Sequence, residues 1–288
     1  MSTLQWNLNR KITGTVISHE DIELSEASDD GPIYIFASCT FNNLVNSGHG
    51  GAITCSASSS DFYIPQLLID KCSFKSCESS SGFGGAIYSG GLSSFSIAKT
   101  IFTFCNSTTK NGGGISVSSG AGLPIISDTT FMSCYARNFH SSTDTGDDAG
   151  GVYITSSFLC SGLHYILQSC RFISCGCYDW GGGGHVTVSY SVVGCTDSLF
   201  SACTCQRALG IGISIGTADA DCLIHFCFFS CSTSSNSLTD ICINRDAGSF
   251  SYPFLHSFST TPITNSVCII YSWGTRTNPS WLPQGNCN

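Results

Sequence analysis

Two pairs of cysteines, Cys175-Gly-Cys177 and Cys203-Thr-Cys205, lie 28 residues apart. Four sulfurs brought together could hold a metal ion, although zinc sites more often use ligands separated by two to four residues. A second group is acidic. Asp144, Asp147 and Asp148 share one stretch with Tyr135, Arg137, Phe139 and His140, a mixture suited to a recognition loop or a weak calcium site. A third pairing is Gly48-His49-Gly50 with Gly146-Asp147-Asp148, a histidine and an acid pair of the kind general acid–base chemistry uses. What each group can do depends on the elements that carry it.

Those elements repeat. Phe is followed three residues later by Cys at Phe74/Cys77, Phe102/Cys105, Phe131/Cys134, Phe172/Cys175, Phe200/Cys203 and Phe228/Cys231, and Phe41 fits the same frame with Leu44 in the Cys slot. Successive Phe positions are 33, 28, 29, 41, 28 and 28 residues apart. A glycine motif follows each copy, reading Gly50-Gly-Ala-Ile53, Gly84-Gly-Ala-Ile87, Gly112-Gly-Gly-Ile115, Gly150-Gly-Val-Tyr153, Gly183-Gly-His-Val186 and Gly210-Ile-Gly-Ile213; Asp240-Ile-Cys-Ile243 has lost its glycines. Short alternating stretches such as Val186-Thr-Val-Ser189 read as half-buried strands. No helical spacing fits between them, and a propeller blade needs about 40 to 45 residues. About 28 residues holding two or three short strands and tight turns is one coil of a parallel β-helix. The expectation is therefore an all-β, right-handed, single-stranded parallel β-helix of seven recognisable coils in one domain, residues 1–288. It has an N-terminal cap at 1–37, repeat coils at 38–250 and a C-terminal coil and cap at 251–288. The acidic run Glu20 to Asp30 suits a solvated cap that blocks edge pairing.

In such a stack, Phe and Cys fill internal ladders with like above like. The cysteine column reads as reduced, buried thiols acting as small hydrophobes. Stacked Cβ vectors are parallel, which suits a disulfide poorly. Cysteines outside the column, such as Cys160, Cys195, Cys222, Cys242, Cys268 and Cys287, stay open to bridging, because oxidation depends on compartment. The two C-x-C pairs are stacked by the same 28-residue register, so repetition alone accounts for them, and no metal or cofactor is assigned. The 41-residue interval is an insertion, Tyr135 to Ala149, projecting from one face; Tyr135, Arg137, Phe139, His140 and Asp144 form its candidate recognition loop. Gly48-His49-Gly50 runs into a repeat glycine and reads as a turn.

Composition narrows the function. Net charge is −8 with only 11 basic residues, too few to neutralise a run of phosphates, which argues against nucleic acid. Hydrophobic residues make up 42%, enough for a core, and no apolar run approaches the ~20 residues of a membrane span. The start of the chain has no uninterrupted apolar segment of the secretory type. Asn106-Ser-Thr108 is a glycosylation sequon, relevant only to a secreted chain.

The Phe-x-x-Asn/Cys and Gly-Gly-Ala-Ile copies resemble the repeat of the chlamydial polymorphic outer membrane proteins. They are more similar still to the Cys-rich form in trichomonad-type surface protein families. The likeness covers about residues 38–245 and implies a right-handed, pectin-lyase-like β-helix that acts at a surface in recognition or adhesion. A secretory signal and a barrel or membrane tail, which that resemblance would lead one to seek, are not evident. The polygalacturonase set, by contrast, needs Asn-Thr-Asp, Gly-Asp-Asp, Gly-His-Gly and Arg-Ile-Lys in that order. Here two are missing and the other two are reversed, three coils or about 15 Å apart, beyond the ~10 Å over which paired carboxylates cooperate. The expected function is non-catalytic recognition of a protein or glycan ligand at a cell surface or in secretion. The alternatives are an intracellular scaffold and, on fold analogy alone, a carbohydrate-active enzyme.

Overall fold

The computed structural model describes residues 33–56, 66–92, 94–119, 124–137, 149–156, 163–178, 181–189 and 192–205. It also describes strands at 4–5, 10–13, 16–17, 22–24, 213–218, 222–225, 228–230, 241–246 and 268–273. The coil beginning at Ile33 shows the plan. Strand Ile33–Ala37 is followed by Thr40–Asn42, Val45–Asn46 and Ile53–Ser56, and each pairs in parallel with its counterpart one coil on: Gln66–Asp70, Ser73–Lys75, Glu78–Ser79 and Ile87–Gly90. Repetition of this step gives a parallel β-solenoid with four sheets of ten, eight, eight and six strands among the described residues.

Alternation sets the core. Ile33–Ala37 and Gln66–Asp70 bury every second side chain, and Phe41, Phe74, Phe102, Phe131, Phe172 and Phe200 are fully enclosed. The rings stack face to face at centroid distances of 4.4, 4.7, 4.9, 4.9 and 4.7 Å, with planes within 7° of parallel. Aromatic pairs ordinarily prefer offset or edge-on contact. Here the inter-strand spacing of ~4.8 Å imposes the stacked form.

Each Phe strand is three residues long because a left-handed residue closes it on both sides. The pairs are Ser38/Asn43, Lys71/Ser76, Lys99/Phe104, Asp128/Ser133, Ser169/Ser174 and Asp197/Ala202, all with φ between 48° and 55°. A residue other than glycine costs about 1–2 kcal/mol in that region. The ladder holds it there: Ser38 N–H donates to Asp70 O and Asn43 N–H to Lys75 O, both at 2.9 Å, and the same bond recurs in later coils.

Three details depart from the sequence reading. The coil number is not seven. Strands at Leu4–Gln5, Arg10–Thr13, Val16–Ile17 and Ile22–Leu24, inside the stretch read as a cap, pair into the stack, and Cys268–Trp273 extends the largest sheet beyond Ile241–Asp246. Leu4–Gln5, Arg10–Thr13, Val16–Ile17 and Cys268–Trp273 each end a sheet among the described residues and need ladder bonds on one side only, so they can form without the Phe or glycine signature; Ile22–Leu24 is held between Leu4–Gln5 and Ile53–Ser56. The last Phe copy is displaced, since Phe200 pairs with Phe229 rather than Phe228. The glycine frame also slips. Ile115 pairs with Val152, Val152 with Gly184, Gly184 with Ile213 and Ile213 with Ile241. Ala149 therefore occupies the slot of Gly50, Gly84, Gly112 and Gly181, and the copies read at Gly150, Gly183 and Asp240 shift by one or two residues.

Candidate functional site

Cysteines line the interior and make thiol chemistry the nearest at hand. The twelve cysteines whose side chains are described, Cys195 among them, are all buried, and none is in a disulfide. In the Phe–Cys column each sulfhydryl donates to a Phe carbonyl in the preceding coil: Cys77 to Phe41, Cys105 to Phe74, Cys134 to Phe102, Cys175 to Phe131 and Cys203 to Phe172, at Sγ···O distances of 3.4–3.9 Å. Burial, followed by the neighbouring sulfurs of Cys105 and Cys175, pushes the Cys134 thiol well above its ordinary range. A thiol so placed is a poor nucleophile.

A second column went unnoticed in the sequence. Two residues before each Phe stand Cys39, Cys72, Thr100, Thr129, Cys170 and Ser198, all turned inward. Their Sγ–H or Oγ–H groups donate to the carbonyl two residues back, as in Cys72 to Asp70 at 3.4 Å, Thr100 to Ala98 at 2.8 Å and Ser198 to Thr196 at 2.9 Å. They also accept from the backbone of the preceding coil: Cys39 N–H to Cys72 Sγ, Cys72 N–H to Thr100 Oγ1 and Cys170 N–H to Ser198 Oγ. Burial is the main cause that lifts the Cys72 thiol to about 12. The column escaped notice because Cys, Thr and Ser exchange freely in one hydrogen-bonding role; its signal is the fixed offset from Phe.

The four C-x-C sulfurs divide between two columns. Cys175 and Cys203 belong to the Phe–Cys ladder and bond carbonyls, whereas Cys177 and Cys205 lie in register on the six-stranded sheet with Sγ atoms 3.6 Å apart. Among the described residues no group of three or more His, Cys, Asp or Glu side chains is arranged to hold a metal ion.

The richest surface feature runs along the glycine corner. His49 lies flat on Tyr88, centroids 4.3 Å apart, and faces Phe83 at 5.4 Å; Lys110 Nζ stands 5.9 Å from the Phe83 ring centre. Phe83 N–H donates to His49 Nδ1 at 3.0 Å, so the ring serves as an acceptor. Burial lowers the His49 pKa from its usual 6.5. The geometry follows from the turn, because Gly50 and Gly84 have positive φ of 56° and 70° and carry the preceding residues, His49 and Phe83, onto one edge in adjacent coils. The sequence reading took Gly48-His49-Gly50 only as a turn; the missed signal is that His49 and Phe83 both precede the first glycine of a copy.

The insertion opens on the same edge. Tyr135 pairs with Gly176 and its hydroxyl meets Thr204 Oγ1 at 3.3 Å, while Arg137 is exposed and its N–H donates to Ser107 O at 2.8 Å. The chain is back in register at Ala149, whose carbonyl accepts from Gly113 N–H at 2.9 Å. Phe139, His140, Asp144, Asp147 and Asp148 lie outside the described residues. Tyr135 and Arg137 thus mark one foot of the insertion, about 15 Å along the axis from His49 at three coil spacings. Comparison of the chain with protein-family models, with curated proteins and with solved structures found no match in any of the three.

Proposed function

We propose that this solenoid is a non-catalytic recognition protein that binds a protein or glycan ligand along its glycine edge, at a cell surface or after secretion. The observation carrying the reading is the alignment of the half-buried His49–Phe83–Tyr88 stack and Lys110 with the insertion that leaves at Arg137 and returns at Ala149. Aromatic faces beside cations suit the apolar face of a sugar or a peptide side chain, and insertions on one face of a solenoid commonly form its binding side. The likeness of the repeat to polymorphic outer membrane protein families supports the same location. His49 is given no catalytic task, because its Nδ1 already accepts the Phe83 amide.

A second reading, an intracellular scaffold, draws support from the buried cysteines being thiols rather than disulfides, which suits a reducing compartment. Glycan arrays and cell-binding assays on the intact chain, compared with a variant in which residues 138–148 are replaced by a short Gly-Ser turn, test the recognition reading. Loss of binding in a folded variant supports it. Equal binding by the two proteins, or no binding by the parent, removes it. Labelling of intact cells against lysed cells separates the compartments, and labelling only after lysis favours the scaffold.

A further inference from the structure

One slot on the six-stranded sheet changes character along the stack. It holds Asn46, Ser79, Ser107 and Ala136 in successive coils, and then Cys177 and Cys205. In the coils that precede them, the corresponding side chains serve the backbone: Ser79 Oγ donates to Gly48 O at 2.6 Å and Ser107 Oγ to Gly82 O at 2.9 Å. At the last two described positions the two thiols face each other with Sγ atoms 3.6 Å apart, Cys177 donating to Cys205.

We infer that Cys177 and Cys205 form an oxidisable dithiol, a modification site at which a low-molecular-weight disulfide such as glutathione disulfide installs a bridge between adjacent coils. Three features support this. In-register parallel neighbours have Cα atoms ~4.8 Å apart, inside the ~4.4–6.8 Å range of disulfides. The sulfurs are within van der Waals contact at 3.6 Å; because stacked Cβ vectors run parallel, closing the bond also draws the two Cβ atoms together and shifts the backbone locally. The pair also lies nearer to solvent than the ladder: Cys177 is 3% and Cys205 7% exposed, against 0% for Cys77, Cys105, Cys134, Cys175 and Cys203. Those five donate to Phe carbonyls of the preceding coil at 3.4–3.9 Å, while Cys205 Sγ meets Tyr178 O at 3.9 Å.

The exchange balances in two displacements. Cys205, the more exposed, attacks as thiolate one sulfur of glutathione disulfide and forms a mixed disulfide while one glutathione thiolate leaves. Cys177, deprotonated, then attacks the Cys205 sulfur and expels the second glutathione. Two protons leave the protein thiols, and the two electrons they give up reduce one glutathione disulfide to two glutathiones. The new bridge links one coil to the next, so it restrains the edge of the stack at its own position.

The test treats the full chain, natively folded, with glutathione disulfide, blocks residual thiols after unfolding, and maps unreduced peptides by mass spectrometry. The expected product is a Cys177–Cys205 cross-linked peptide about 2 Da lighter than the sum of its reduced parts, the two thiol hydrogens being lost, with Cys77, Cys105 and Cys134 recovered as thiols. The oxidised protein should also melt at a higher temperature than the reduced one. C205S keeps the fold, since serine is the native residue at this slot in two earlier coils, and it shows neither the cross-link nor the oxidant-dependent shift in melting. Circular dichroism of C205S confirms the fold. Recovery of both Cys177 and Cys205 as thiols, or a bridge from either one to a different cysteine, overturns the assignment.

Discussion

Phe102 and Phe104 are two residues apart in one coil, and the structure predicts opposite responses to their replacement. Phe102 is fully buried, with Phe74 stacked on one face at 4.7 Å and Phe131 on the other at 4.9 Å. Truncating a buried Phe to Ala costs about 3–5 kcal/mol. Two aromatic partners and a rigid ladder that cannot collapse into the void place Phe102→Ala toward the upper end of that range. Phe104 is 52% exposed and sits at φ 54°. Replacing it with Gly relieves the ~1–2 kcal/mol left-handed cost but gives the unfolded chain about 0.5–1 kcal/mol of extra freedom, so Phe104→Gly is neutral or gains up to about 1.5 kcal/mol. Urea denaturation followed by circular dichroism, with midpoints compared at matched slopes, reads both changes. The reasoning fails if Phe104→Gly destabilises by more than about 1 kcal/mol, or if Phe102→Ala shifts the midpoint no more than a surface substitution does.

Glycine contacts give a second matched pair. A Cβ on Gly85 would stand 2.0 Å from Gly113 O and 2.5 Å from the Asn106 backbone, whereas one on Gly184 finds its nearest neighbour at 3.6 Å. Gly85→Ala should therefore cost at least the ~1–3 kcal/mol of an overpacked site while Gly184→Ala changes the thermal midpoint little; equal midpoints for the two variants would contradict the close approach of successive coils. For His49 the sign is set by its lowered pKa. The unfolded state takes up a proton near pH 6.5 before the folded state does, so this group's stabilising contribution is present above that pH and is lost as the pH falls toward the folded-state value. Melting temperature measured from about pH 7.5 to about pH 5 should fall less in His49→Gln than in the parent, and identical slopes would remove His49 from the account.

The stacking axis was legible because Phe and Cys recur at a fixed offset and because their residue types are chemically distinctive. A 41-residue interval did not hide the register, since the extra residues leave after Arg137 and the ladder resumes by Ala149. The glycine frame was harder to read: Gly181 to Gly184 form an unbroken run, and Ala149 stands where other coils have glycine, so letter matching could not locate the pairing that hydrogen bonds define. The corners were also obscure, because Ser, Lys, Asp, Asn, Phe and Ala all occupy left-handed positions, and of these only Asn and Asp are usual signs of that conformation. Strands such as Val16–Ile17 form at the end of a ready template, an effect of neighbours that no local pattern displays. The aromatic cluster depended on placing His49 beside Phe83, 34 residues away, which requires the register first.

The continuous phenylalanine column has a consequence for how such a chain can change length. Every interior turn offers the same surface above and below, so a turn duplicated or deleted in frame leaves two cut faces that still match. Variation in reach is therefore tolerated by the scaffold itself. A change of a few residues within a turn faces the opposite constraint: it must be expelled at a corner, as the longest interval between Phe positions shows, or it puts every later ring out of line with the one beneath it.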